Sequence, residues 1–369
     1  MGTPKLLYMK YINLYLKLTL FSISSLIFSQ EKKIDSLITS TISITDSTNI
    51  NTAADLIYEL SLQEKYNLCL IYCDKLIELS KSITHHKGAG KIYIEKANIL
   101  NITDKSSEAM QGYDQAEHFF KLSGYDKGIA VVNNNKAVIE HRLGNLEKSI
   151  ALLLNANVYY EKLKDSISLA DTFNNIGNVH NTLNQSLDAK EYYKKSIEIK
   201  RKNKLKNLAS TLNNLANVHI NIKEVDSAIT ILNEALEEGK LQNDSRSIAG
   251  TYIALGKIYL DQKNYKKAKE YLEASMFVGG KTEYTSRLVT TKHALALIAL
   301  KTGDLDQAEK YLTNARSKSK ELNYTNHLLT NYKYSAQLDS AKGDFTSAAR
   351  WKKKHMLLLS KESKDKSIK

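Results

Sequence analysis

Asparagine is the residue whose type and spacing most invite chemistry in this chain. It occurs as Asn133-Asn134-Asn135, as Asn174, Asn175 and Asn178, and as Asn213, Asn214 and Asn217, with Asn98 upstream. A primary amide carries two donors and an acceptor, so a row of them can hold the backbone of an extended peptide without reading its side chains. The competing use, for Asn135, Asn175 and Asn214 above all, is hydrogen bonding between neighbouring elements of the protein itself.

Other reactive residues point to less. His180 and His219 lie 39 residues apart, and a zinc ion needs nitrogens within about 2 Å together with further ligands. Residues at equivalent places on successive elements point the same way and stay about 8–10 Å apart, so the pair reads as substitutes for a core tyrosine and no metal is expected. His85-His86 has no cysteine or acidic cluster beside it. The run Ser275 to Thr282, ending Gly279-Gly280-Lys281-Thr282, imitates a phosphate loop. It lacks the first glycine and follows a helix where that motif needs a strand. Gly279-Gly280 reads as a helix terminus.

Lys194, Lys195, Lys200, Arg201, Lys202, Lys204 and Lys206 form a basic cluster, which reads as solvated loop, with nucleic acid not expected as a partner. No Gly-x-Ser-x-Gly, His-Glu-x-x-His or paired Cys-x-x-Cys is present. No catalytic residue and no cofactor follow, and the chain is expected not to be an enzyme. Cys69 and Cys73, one helical turn apart, read as small buried side chains.

The elements that must position these residues are helices. The only proline is Pro4, so nothing interrupts helices along the body, and turns fall to Gly, Asn, Asp and Ser. A small residue recurs as Cys69, Ala109, Ser149, Ala189, Ala228, Ala268, Ala308 and Ala348, in steps of 40 with a single 39. Before it stand patterns such as Phe173, Ile176-Gly177, His180, then Leu212, Leu215-Ala216, His219, then Tyr252, Leu255-Gly256, Tyr259. Three- and four-residue spacing makes each one helical face. Gly144-Asn145, Gly303-Asp304 and Gly343-Asp344 close one helix and cap the next. Asp304 with Gln307 has the spacing of a capping box.

This pattern resembles the tetratricopeptide repeat family, in a 40-residue variety with a longer loop between repeats such as Leu122 to Asp126. The resemblance covers about residues 50 to 362. Lys96 and Lys136 stand where a large apolar residue is usual. It implies an all-α, right-handed superhelical solenoid of about eight antiparallel helix pairs, whose first helices line a concave groove. It also implies that Asn98, Asn134, Asn174, Asn178, Asn213 and Asn217 face a protein or extended peptide there.

The ends read differently. Lys10 and Lys17 flank a polar-aromatic stretch, and an apolar run from Leu18 to Phe28 ends at Ser29-Gln30. That describes a signal peptide over residues 1–29, starting at Met1 or Met9, and it is too short for a membrane span. Phe28-Ser29-Gln30 resembles exported proteins of the Bacteroidetes, so a periplasmic or secreted location is expected, with no membrane span in the mature chain. Residues 30–49 form a lead-in, read as a short capping helix. The repeats occupy 50–362, and 363–369 are a charged tail. The last helix stays apolar through Met356 to Leu359, so either the tail dimerises or the chain is shorter than its relatives. The formal charge of +13 reads as lysine-rich solvated helix faces. The function that follows is a non-enzymatic scaffold for a protein or peptide. The alternative is the sensory ectodomain of a truncated or split membrane histidine kinase or regulator.

Overall fold

The computed structural model describes residues 47–62, 65–279, 285–321 and 324–367, together with Lys32 and Ser36. The predicted signal peptide and most of the lead-in segment lie outside the described residues. Sixteen helices and no strand occur among those described. They are α1 (Ser47–Leu62), α2 (Tyr66–Ser82), α3 (His86–Ile102), α4 (Ser106–Ser123), α5 (Asp126–Leu143), α6 (Leu146–Lys162), α7 (Ser166–Thr182) and α8 (Ser186–Lys202). Then come α9 (Leu208–Asn221), α10 (Val225–Leu241), α11 (Ser245–Asp261), α12 (Tyr265–Gly279), α13 (Thr285–Thr302), α14 (Leu305–Glu321), α15 (Thr325–Ala341) and α16 (Phe345–Ser367). None of them is long and apolar enough to cross a membrane. The predicted charged tail is helical as far as Ser367.

Within each of the two units, an odd helix and the even helix after it form an antiparallel pair. The eight small residues all fall on even helices, and all are buried. Where that residue carries a donor, it reaches the backbone of the preceding helix. Ser149 Oγ donates to the Ala137 carbonyl at 2.8 Å, and Cys69 Sγ contacts the Ile57 carbonyl at 3.7 Å. On the facing helix a Cβ added at Gly256 would meet Leu272 at 2.7 Å, so glycine there is required by the close approach. Cys69 and Cys73 are buried free thiols, and burial pushes the first up to about 11 and the second further.

The turns differ from expectation in two respects. Left-handed residues recur as Thr84, Asp104, Gly124, Gly144, Lys164, Asn184, Lys204, Lys223, Asn243 and Lys263, then Gly303 and Gly343. Lysine therefore takes positions expected for Gly, Asn, Asp or Ser, at a cost of about 1–2 kcal/mol each for its Cβ. The helices on either side, fixed by their packing, impose the conformation. From Thr84 to Lys263 these residues fall nineteen or twenty apart, so the turn between repeats matches the turn within one. The longer inter-repeat loop predicted at Leu122 to Asp126 is absent: α4 ends at Ser123 and α5 begins at Asp126. Against the shorter 34-residue repeat, the additional length resides in helices of 17 or 18 residues. A longer connection does occur between α8 and α9, where Lys204 and Asn207 are both left-handed.

Some helix starts are held as capping predicts, but Asn145 forms no side-chain cap and donates to Glu140 instead. Asp165, Asp244, Asp304 and Asp344 accept from the backbone N–H three residues on, at 2.9–3.1 Å.

The chain divides into two compact units, residues 1–179 and 180–369. In unit 1 the core runs through Ile57, Leu76, Ile92, Tyr113, Phe120 and Ile139. Lys96 and Lys136 do not break it. Lys96 Nζ reaches Asp74 on α2 at 2.6 Å, and Lys136 Nζ reaches Asp114 and Glu117 on α4, both at 2.6 Å. The two pairs are forty residues apart in both partners, so the same ion pair joins successive repeats twice. Unit 2 places Leu215, Leu255 and Leu295 at that register, all buried.

Candidate functional site

In unit 1 the predicted amides bond to each other. Asn98 Oδ1 accepts from the Tyr113 hydroxyl at 2.6 Å and from Asn135 Nδ2 at 3.3 Å. Asn134 Nδ2 donates to Asn135 Oδ1 at 3.4 Å, and Asn175 Nδ2 donates to Asn134 Oδ1 at 3.1 Å. Asn98, Asn135, Asn134 and Asn175 thus form a chain of amides across α3, α5 and α7. Asn174 and Asn178 are engaged as well. Asn178 and Asn175 border a small cleft of about 140 Å³. The amide chain in unit 1 serves to register one repeat on the next.

Unit 2 arranges its asparagines around open space. Asn213, Asn214, Asn217 and Asn221 project from α9 into a cleft of about 420 Å³, opposite Ser247, Gly250 and Lys257 on α11 and Arg287 on α13. Asn213 is fixed in place: its Nδ2 donates to the Ser247 carbonyl at 3.1 Å, and its Oδ1 accepts from Thr251 at 2.9 Å. Asn217 is exposed. Arg287 donates to the Arg246 carbonyl at 2.5 Å, which holds the guanidinium beside the cleft. At Gly250 the nearest groups to an added Cβ are Asn213 Nδ2 and the Arg287 guanidinium, at 3.7 and 3.9 Å. The missing side chain leaves the cleft floor open. Such an arrangement can satisfy peptide N–H and C=O groups and take a negative charge at Arg287 or Lys257.

Lys257, Gly250 and Arg287 were not singled out by sequence reasoning. Lys257 was within reach of it, since it lies forty residues after Asn217, in the register already used. Arg287 comes from a helix two repeats beyond α9, and no local pattern marks it.

The histidines belong to the turns. His180 Nδ1 lies 2.7 Å from Gln185 Oε1, and His219 Nδ1 lies 2.6 Å from Glu224 Oε2. Glu140 accepts from Asn145 Nδ2 at 2.7 Å in the same register one repeat earlier. Burial lowers the His219 imidazole, and the neighbouring Lys190 adds to this against the pull of Glu224. The His180 ring stacks on Tyr192 at 5.2 Å, as Tyr259 stacks on Tyr271 at 5.5 Å. The basic cluster is dispersed: Lys195 pairs with Glu191 at 2.6 Å, Arg201 pairs with Glu234, and buried Lys200 donates to Thr211 at 3.1 Å. Residues 280–282 of the phosphate-loop imitation lie outside the described residues. On the last helix Met356, Leu357 and Leu359 are exposed, while Trp351 donates to Asp339 at 2.8 Å and stacks on Tyr332.

Models of the tetratricopeptide repeat family match residues 128–202 and 207–276, and a second such model matches 289–315. The chain therefore carries tetratricopeptide repeats. No curated protein matches it. Among solved structures it is similar to apo RapI, at a TM-score of 0.59 and 16% identity over 74% of this chain and 99% of that one. The Rap conjugation gene regulator of plasmid pLS20, solved with the Phr* peptide, gives 0.59 at 13% identity over 90% and 96%. A signal-transduction ATPase with a tetratricopeptide repeat sensor from Pyrococcus horikoshii gives 0.59 at 18% identity. This chain covers 90% of its own length and 54% of that protein in the last comparison. Identities this low establish the shared fold.

Proposed function

We propose that the chain is a non-enzymatic scaffold that binds an extended peptide or protein segment, exported to the periplasm or beyond, with the unit 2 cleft as its contact surface. The observation that carries this reading is the gathering of four α9 amides around the open floor at Gly250. A peptide lying there would exchange backbone hydrogen bonds with Asn217 and Asn214, while Asn213 stays fixed to α11. The Rap regulator of similar fold was solved with a peptide bound, which supports the reading by analogy of fold and no further. The signal-peptide pattern of residues 1–29 supports export.

The test is retention from an envelope extract, with bound species identified by mass spectrometry. Wild-type protein should retain a discrete set that Gly250→Leu loses, because leucine fills the cleft while favouring helix. Asn213→Ala/Asn217→Ala should lose the same set. Identical sets for all three proteins would sink the proposal. Sequencing of the mature amino terminus tests export separately, and a chain still carrying residues 9–29 would refute it.

A second reading draws on the Pyrococcus protein, whose repeats are described as a sensor. The ligand-binding array would then be the sensing half of a signalling system. It predicts a membrane-embedded kinase or regulator among the species retained.

A further inference from the structure

A second cleft, in unit 1, holds a carboxylate with no ion pair among the described residues. It opens between α1 and α3 with a volume of about 500 Å³, and Tyr58, Leu62, Tyr66 and Ile102 frame Glu95 and Asn98. Tyr58, Leu62 and Ile102 are exposed at 52, 67 and 59%, so three large apolar side chains left in solvent gather at one mouth. Glu95 is partly buried, bonded to Asn98 and facing Asp55, and it has no ion pair among the described residues. Of the nearby cations, Lys96 is committed to Asp74 at 2.6 Å and Lys127 to Asp165 at 2.8 Å, and Lys91, one turn before Glu95, is engaged as well.

We propose that this cleft binds a cationic side chain on an aliphatic stem, the lysine or arginine of a peptide, with Glu95 as its counter-ion. A carboxylate drawn from water without a partner is costly, and a ligand cation restores what it lost. Tyrosine faces attract the same cation, and the stem covers Leu62 and Ile102. Burial lifts the Glu95 carboxyl to about 7, with Asp55 adding to the rise and Asn98 opposing it, so the vacant site favours added positive charge. Glu95 precedes Asn135 by forty residues and Asn175 by eighty. It replaces in repeat two the amide that later repeats use to bond each other. The inference does not rest on the asparagine reading of unit 2.

The probes are nine-residue alanine–serine peptides, acetylated and amidated, with lysine, arginine, norleucine or glutamate at the centre. At pH 8 the full-length chain should hold the lysine or arginine peptide at least about tenfold more tightly than the norleucine one, a difference of about 1.4 kcal/mol. The tighter of the two names the side chain. Glu95→Gln should abolish the preference, and Asn213→Ala/Asn217→Ala should leave it intact. The charged and titratable groups facing Glu95 are Asp55 and Tyr58 on α1, Tyr66, Cys69 and Cys73 on α2, Tyr113 on α4, Lys127 on α5, and Lys91 and Lys96 on its own helix. Burial pushes Cys73 and Tyr113 up and out of the working range. The wild-type preference should therefore fade as pH drops from 8 to 6 and Glu95 protonates. Equal binding of norleucine and the cations overturns the proposal, as does a Glu95→Gln chain that keeps the preference. Thermal unfolding shows whether that variant folds. If it does not, the wild-type pH series decides, and a preference unchanged between pH 8 and 6 overturns the idea.

Discussion

At the register where α9, α11 and α13 carry Leu215, Leu255 and Leu295, α3 and α5 carry Lys96 and Lys136. Unit 2 joins its repeats there by burying leucine, each worth about 1.5–3 kcal/mol in removed apolar surface. Unit 1 joins its first repeats by drawing a lysine stem across the junction to Asp74, or to Asp114 and Glu117. Both solutions fit the same helix pair because each repeat contacts only its neighbours, so a junction can change chemistry without disturbing the next. They differ in robustness. A leucine contact is indifferent to pH, whereas burial raises the Glu117 carboxyl and the bonds from Lys121 and Lys136 outweigh it, leaving it below its ordinary value. Its contribution is present above the unfolded value near 4.5 and is lost as pH falls through the lower folded one.

The largest effect should come from Leu255→Ala, at about 2–5 kcal/mol of lost stability in unit 2 by urea unfolding. Its counterpart, the double substitution Lys136→Met/Glu117→Met, should cost little or stabilise, because apolar side chains often match a whole ion pair taken from water, whereas Lys136→Met alone strips the partly buried Glu117 of a partner. Equal losses from the two would break the comparison.

Glu95→Gln sharpens the pH contrast within unit 1. A carboxyl raised to about 7 binds its proton more tightly folded than unfolded, so its stabilising effect is full below about 4.5 and gone above 7. The variant should gain about 2–3 kcal/mol on wild type between pH 4.5 and 8. Glu117, with the opposite shift, predicts the opposite slope, and acid titration of wild type followed by hydrogen exchange in α4 and α5 separates the two.

A smaller gain should follow Asn157→Ile. Asn157 is buried, with neither amide atom partnered among the described residues. Forty residues on, Ile197 fills the same register and packs with Leu208 and Leu212. Removing an unsatisfied buried amide should gain about 1–3 kcal/mol in thermal unfolding. An unchanged midpoint would mean that the amide is satisfied in solution. Smallest is Lys223→Gly, which should gain about 1 kcal/mol or less by relieving a left-handed lysine. A loss there would show that the side chain does more for the turn than its backbone costs.

Much of this organisation was legible in the sequence. The eight small residues named the even helices, and the missing proline foretold uninterrupted ones. What misled was the loop at Leu122 to Asp126, read as longer than its counterpart when the additional length lies in the helices. Lys96 and Lys136 do stand where an apolar residue is usual, and their compensation lies twenty-two residues away, in Asp74 and Asp114. Asn98 and Asn134 bond Asn135, Tyr113 and Asn175, Asn98 also borders the unit 1 cleft, and Asn213 and Asn217 border that of unit 2.

By itself the sequence determined the helix pairs, their register and the small residue that lets each pair close. Those features rest on spacings of three, four and forty along one chain, and the same contact recurs wherever the spacing does. Only the tertiary structure decided which amides face one another and which face open space, which lysines find a carboxylate, and that Glu95 meets no lysine among the described residues. Each outcome depends on side chains meeting from helices a repeat or more apart. A periodic pattern fixes which residues share a face, but the reach and partners of a polar side chain are set by what its neighbours present.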